Sequence, residues 1–132
     1  MIIFKTSANK ISGGYTSLSW GGNGNEPHHI NDTEEFLFSV DHLTTYRSAK
    51  THSHLAQSLI TERGPVFGVN SLIFDSNMRS GWSNTNEKEE EFYNIPIDSE
   101  GNSMLTGEGK QNLNGLKNFT CMELEVYQVV SN

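Results

Sequence analysis

The stretch FTCMELEV, residues 119–126, holds the single cysteine, Cys121, with Glu123 and Glu125 at alternate positions after it. A thiol beside carboxylates invites a redox or nucleophilic reading, and a carboxylate pair invites acid–base work. In an extended segment, period two puts Cys121, Glu123 and Glu125 on one face. Neighbouring negative charge disfavours the thiolate, so Cys121 is expected to react slowly and to fill a sheet face. Alternate carboxylates lie roughly 7 Å apart, from a rise of ~3.3 Å per residue. That spacing suits neither a shared-proton dyad nor, without partners, glycoside hydrolysis. Cys121 and Glu125 stand as the catalytic candidates of a secondary reading only.

The histidines are His28, His29, His42, His52 and His54. His52 and His54 would share a side of an extended segment, but no Cys, Asp or Glu follows at metal-ligand spacing. His28 and His29 follow Pro27 and read as loop. Neither a metal nor a cofactor is expected. Gly107-Glu-Gly-Lys110 has part of a phosphate-loop pattern without its first half or the Ser/Thr after lysine. No Gly-x-Ser-x-Gly elbow occurs.

The acidic run Glu87-Lys-Glu-Glu-Glu91, flanked by Trp82, Phe92 and Tyr93, suits protein binding better than catalysis. Glu87, Glu89, Glu90, Glu91 and Trp82 are therefore the binding candidates. The formal net charge of −7 over 132 residues makes phosphate backbones and anionic lipid poor partners. No stretch approaches the ~20 apolar residues of a membrane helix, and the start, MIIFKTSANK, lacks the pattern of a signal peptide. One cysteine excludes an intrachain disulfide. An intracellular, cytoplasmic domain is expected, with no nucleic-acid partner and no membrane insertion.

The elements that must position these groups are short. IIF (2–4), YTSLSW (15–20), FLFSV (36–40), SLIFD (71–75) and FTCMELEVYQVV (119–130) are apolar or alternating and mostly bounded by turn-formers. They predict a mostly β domain spanning 1–132. SHLAQSLITE (53–62) could hold two helical turns, and 98–115 is polar loop. In the last strand the period places Thr120, Met122, Leu124, Val126, Gln128 and Val130 inward. Gly13 and Gly14 stand at a strand entrance, where glycine supplies a bulge, a corner or a close approach.

GGYTSLSW, EEFLFSV, RGPVFGVNSLIFD and LTGEGKQNLNGLKNFTCMELEVYQV, in that order, resemble the TLDc domain family from about Ile2 to the C-terminus. The resemblance implies a two-sheet antiparallel β-sandwich with short flanking helices. It also implies roles in protection against oxidative stress and in docking to the vacuolar ATPase to modulate its assembly. The resulting reading is a non-catalytic protein-interaction domain, with vacuolar ATPase subunits as partners. The alternative is a weak peroxide-detoxifying enzyme using Cys121 or a Glu125-centred site. The family usually begins with a strand, a turn of Asp-Gly character and a helix before the position of Ile2. Here the chain opens at IIFKT, so the domain is expected to lack that segment and to self-associate through an exposed first strand.

Overall fold

The computed structural model describes residues 1–16, 28–30, 34–47, 57–59, 63–67, 71–85 and 93–130. Among the described residues ten strands follow in chain order: β1 (Ile2–Thr6), β2 (Ile11–Tyr15), β3 (His28–Ile30), β4 (Phe36–Ser39), β5 (Thr44–Arg47), β6 (Gln57–Leu59), β7 (Arg63–Phe67), β8 (Leu72–Asp75), β9 (Ser80–Ser83) and β10 (Lys117–Val126). They form one antiparallel sheet in the order β3-β6-β7-β8-β9-β10-β1-β2-β4-β5.

Two expectations are corrected here. Two separate sheets were expected; the strands instead join through β10. Its residues 117–120 pair with β9, and residues 121–126 pair with β1. The flanking helices do not occur among the described residues. Gln57–Leu59, inside the expected helix, is strand, and so are His28 and His29, expected in a loop.

The sheet is strongly curled. Phe4 on β1 and Phe74 on β8 are three strand steps apart, which in a flat sheet means about 14 Å. Their ring centroids lie 5.0 Å apart, edge to face. Phe119 of β10 completes the cluster at 5.6 Å from Phe4 and 5.4 Å from Phe74. Ile2, Leu37, Phe67, Leu72, Tyr93, Ile95 and Leu105 fill the rest of this interior. Tyr93, expected beside an exposed acidic patch, is fully buried and donates its hydroxyl to the buried Glu35 carboxylate.

The curl coincides with a bulge. Lys5 pairs with Glu123, but the next residue, Thr6, pairs with Cys121, so Met122 is the extra residue on β10. A bulge raises local twist and reverses which alternate residues point inward. Lys117, Phe119 and Cys121 are buried before it, and Leu124 packs on the core after it. The inward set expected for this strand is therefore corrected. Met122 is 62% exposed and Val126 64% exposed, and only Leu124 of the three reaches the core.

β1 is not an edge. It pairs with β10 on one side and β2 on the other, so its backbone groups are used and offer no open ladder to a second copy. This removes the basis for self-association through the first strand.

Gly13 and Gly14 lie inside β2 rather than at its entrance, and neither has the positive φ of a turn glycine. Their role is clearance. A Cβ on Gly13 would sit 2.3 Å from the Ile2 carbonyl oxygen and 2.3 Å from the Phe38 ring. A Cβ on Gly14 would sit 2.5 Å from the ring of Phe67, which arrives from the opposite part of the curled sheet. Of the strand expected at 15–20, Tyr15 closes β2, and residues 17–20 lie outside the described residues.

The loop from Asp98 to Leu116 is tightly self-bonded. The Asp98 carboxylate accepts the backbone N–H groups of Glu100 (2.8 Å) and Asn102 (2.9 Å). These bonds, with that from Asn102 foremost, hold its pKa below the usual aspartate value. A carboxyl depressed on folding stabilises the fold at pH values above its unfolded pKa. The contribution fades as pH falls through the lower folded value. Wild type should therefore exceed Asp98→Asn in stability at neutral pH. The gap should close in acid below the ordinary aspartate range of about 4, as read by urea denaturation of both proteins at each pH. A gap independent of pH would reject this role for the charge.

Candidate functional site

On the outer face of β9 and β10 the side chains form two cross-strand rows. Asn118 pairs with Trp82, and Thr120 pairs with Ser80. The loop adds a third member to each. The Asn118 N–H donates to the Lys110 carbonyl at 2.8 Å. The Thr120 N–H donates to Glu108 Oε2 at 2.9 Å. The rows are thus Lys110–Asn118–Trp82 and Glu108–Thr120–Ser80. Together they line an open groove of about 420 Å³, with Gly81 and Phe119 also contributing.

The loop is held in place from beneath. Thr6 Oγ1 donates to the Thr106 carbonyl at 2.7 Å, and Ser12 Oγ donates to the Leu105 carbonyl. Leu105 is wholly buried. Gly107, at φ +74°, turns the chain out toward the groove and donates its N–H to the Ser103 carbonyl at 2.8 Å. Glu108 Oε1 accepts the Ser7 hydroxyl at 2.6 Å. The Glu108 carboxylate therefore ties the β1–β2 turn, the loop and β10 together. Behind Trp82 the first row continues to Ile73, its partner on β8, which is fully buried. The platform runs from a cation at one end to an apolar end at the other.

The expected site residues fare differently. Trp82 is half-buried and lines this groove. Glu87, Glu89, Glu90 and Glu91 lie outside the described residues, as do His52 and His54. His42 is exposed in the turn between β4 and β5. Among the described residues, no group of three His, Cys, Asp or Glu side chains is placed to hold a metal ion. The Gly107–Lys110 segment, read above as a partial phosphate-loop pattern, makes a wall of the groove, and its Gly107 N–H is given to the Ser103 carbonyl.

Cys121 and Glu125 do not converge. The bulge turns Cys121 inward, where it is 6% exposed, while Glu125 is exposed and accepts the Tyr127 hydroxyl. The expected common face for Cys121 with Glu123 and Glu125 is thus overturned. The structure gives a different reason to expect a slow thiol: burial pushes the Cys121 thiol up, outweighing the opposite effect of the Sγ hydrogen bond to the Glu123 carbonyl at 3.3 Å. Iodoacetamide should label native Cys121 far more slowly than the urea-unfolded chain. Equal labelling rates in the two states would contradict its burial.

The sequence reading names Trp82 as a binding candidate and weighs Gly107–Lys110 only as a partial phosphate loop; it singles out neither Asn118, Thr120 nor Ser80 as lining one groove with them. Polar alternation at 118 and 120, and at 80 and 82, was the available signal. The register that joins the two strands was not readable from either alone.

A family model described as TLDc domain matches residues 1–130. The chain belongs to the TLDc domain family. Neither a curated protein nor a solved structure shows a significant match to it. In this TLDc chain the segments that carried the resemblance are structurally central. EEFLFSV supplies β4, NSLIFD supplies β8, and LTGEGK forms the anchored loop wall beside β10. Among the described residues, no helix is long and apolar enough to cross a membrane.

Proposed function

We propose that this chain is a non-catalytic protein-interaction domain with the TLDc family's part in oxidative-stress protection and in regulating the vacuolar ATPase. The observation that carries the reading is the family match over residues 1–130. The burial of Cys121, which pushes its thiol up, and the exposed position of Glu125, engaged by the Tyr127 hydroxyl, support binding over chemistry, because a nucleophilic thiol needs access and thiolate character and an acid–base carboxylate needs a built site around it. Its partners are protein surfaces, with vacuolar ATPase subunits first among them, and it works in the cytoplasm.

Purified domain should bind isolated vacuolar ATPase subunits and change the fraction of assembled enzyme when added to vacuolar membranes. It should not consume peroxide. Peroxide turnover that disappears in Cys121→Ser or Glu125→Gln would overturn the reading in favour of an enzyme. Failure to bind any of the subunits would remove the ATPase from it.

A further inference from the structure

We propose that the outer face of the β10-β1-β2-β4-β5 half of the sheet binds a second copy of this chain, face to face about a two-fold axis that runs along the strands. The contact uses side chains on the face and not the spent ladder of β1, and it stands apart from the ATPase reading.

Register fixes what this face presents. Ile2, Phe4, Leu37 and Tyr46 are buried, so the residues alternating with them point outward. One outward row runs Glu125–Ile3–Gly13–Phe38–Thr45 across five strands. A second runs Tyr15–Phe36–Arg47. In a third, Glu123 pairs with Lys5 and Lys5 with Ile11, and the Val40 N–H donates to the Ile11 carbonyl at 2.9 Å. The solvated face of an antiparallel sheet is normally polar at such positions. Here its middle is apolar. The ring centroids of Tyr15 and Phe36 lie 5.3 Å apart and those of Phe36 and Phe38 6.2 Å apart, while Ile11 is 37% exposed and Val40 45% exposed. Five strands at ~4.8 Å and three outward positions at ~6.8 Å make a footprint of about 24 by 20 Å, or about 480 Å². That falls at the low end of specific interfaces, up to about 600 Å² per partner, and fits a weak dimer with a Kd of the order of 10 µM.

Charge selects the occupant and the axis. Arg47 stands at the β5 edge, exposed, with its guanidinium carbon 5.1 Å from the Phe36 ring centroid. Glu125 stands at the β10 edge, exposed, and accepts the Tyr127 hydroxyl, a neutral donor. Among the described residues no ion pair engages either group. Glu123 has Lys5 opposite it on β1, which leaves Glu125 as the outlying negative charge. The face is therefore positive at one edge, apolar in the middle and negative at the other edge. Such a pattern complements itself, as an isologous dimer requires. A half-turn about an axis along the strands lays β5 of one copy over β10 of the other. Arg47 then lies one outward position along the strand from Glu125 of the second copy, within an arginine's reach, and the apolar middles meet. An axis across the strands would lay like edges together. The net charge of −7 repels like copies, but it is spread over the chain and is screened beyond about 8 Å at physiological salt. Contact at the face then decides the outcome.

Sedimentation velocity of the whole chain at physiological salt tests this, over concentrations from ~5 to ~500 µM. The wild-type sedimentation coefficient should rise from the monomer to the dimer value across that range. Arg47→Glu and Glu125→Arg, both surface changes, should each weaken the dimer about tenfold or more, because like charges then meet twice in every dimer. An equimolar mixture of the two variants should restore association, since each contact then joins opposite charges. Circular dichroism establishes that both variants are folded. A wild-type chain that stays monomeric throughout leaves the face to another occupant and overturns the proposal, whatever happens to the variants. Single variants that dimerise as wild type does, or a mixture of folded variants that stays monomeric, would overturn it as well. None of these outcomes depends on whether an ATPase subunit binds.

Discussion

Phe4→Ala should destabilise the domain by about 3–5 kcal/mol, measured as a fall in the urea midpoint with little change in slope. Phe4 is 1% exposed and touches two other rings, Phe74 at 5.0 Å and Phe119 at 5.6 Å. Those rings belong to different parts of the curled sheet, so the cavity left by alanine would separate its two halves rather than let one side chain relax into the space. Against a total stability of about 5–15 kcal/mol for a domain of this kind, the loss is a large fraction. A change below about 1 kcal/mol would mean that the three rings do not share one dry interior.

Gly13→Ala should cost about 3 kcal/mol or more, at the upper end for added core volume, and should cost more than Gly14→Ala. Both glycines leave no room for a methyl group, but the obstacles differ. The Gly13 Cβ would meet the Ile2 carbonyl oxygen at 2.3 Å, and Ile2 belongs to a strand paired on both sides. The Gly14 Cβ would meet only atoms of the Phe67 ring within its nearest contacts. Phe67→Leu should therefore recover part of the Gly14→Ala loss, whereas Phe38→Leu should recover little of the Gly13→Ala loss. A double-mutant cycle in urea reads both couplings. Full rescue of Gly13→Ala by Phe38→Leu would show that the Ile2 backbone is not the obstacle.

These two changes also mark where sequence reasoning reached and where it stopped. FLFSV and SLIFD were legible as strands because alternating or continuous apolar bursts between turn-formers leave few other structures. The polar, Gly-rich character of 98–115 was likewise legible as loop, and its Asp98 and Asn112 side chains close local turns as such residues do. The inward face of β10 was misread for one reason. A strict period of two was carried through Met122, where the bulge inserts one residue against β1. No local signal announces a bulge when the residues on both sides are equally strand-like.

The acidic balance, the β class, the main strand and loop segments and the kinship with the TLDc family were contained in the order of the residues. Each depends on composition, on local periodicity or on spaced motifs, all of which survive without a folded chain. Tertiary structure alone decided that the first strand is central, that Gly13 and Gly14 clear space rather than turn the chain, and that Cys121 and Glu125 face apart. It also brought Lys110, Asn118 and Trp82 into one row. Those outcomes depend on which strand pairs with which and in what register, and pairing between segments distant in sequence is set by the whole packed sheet rather than by any stretch within it.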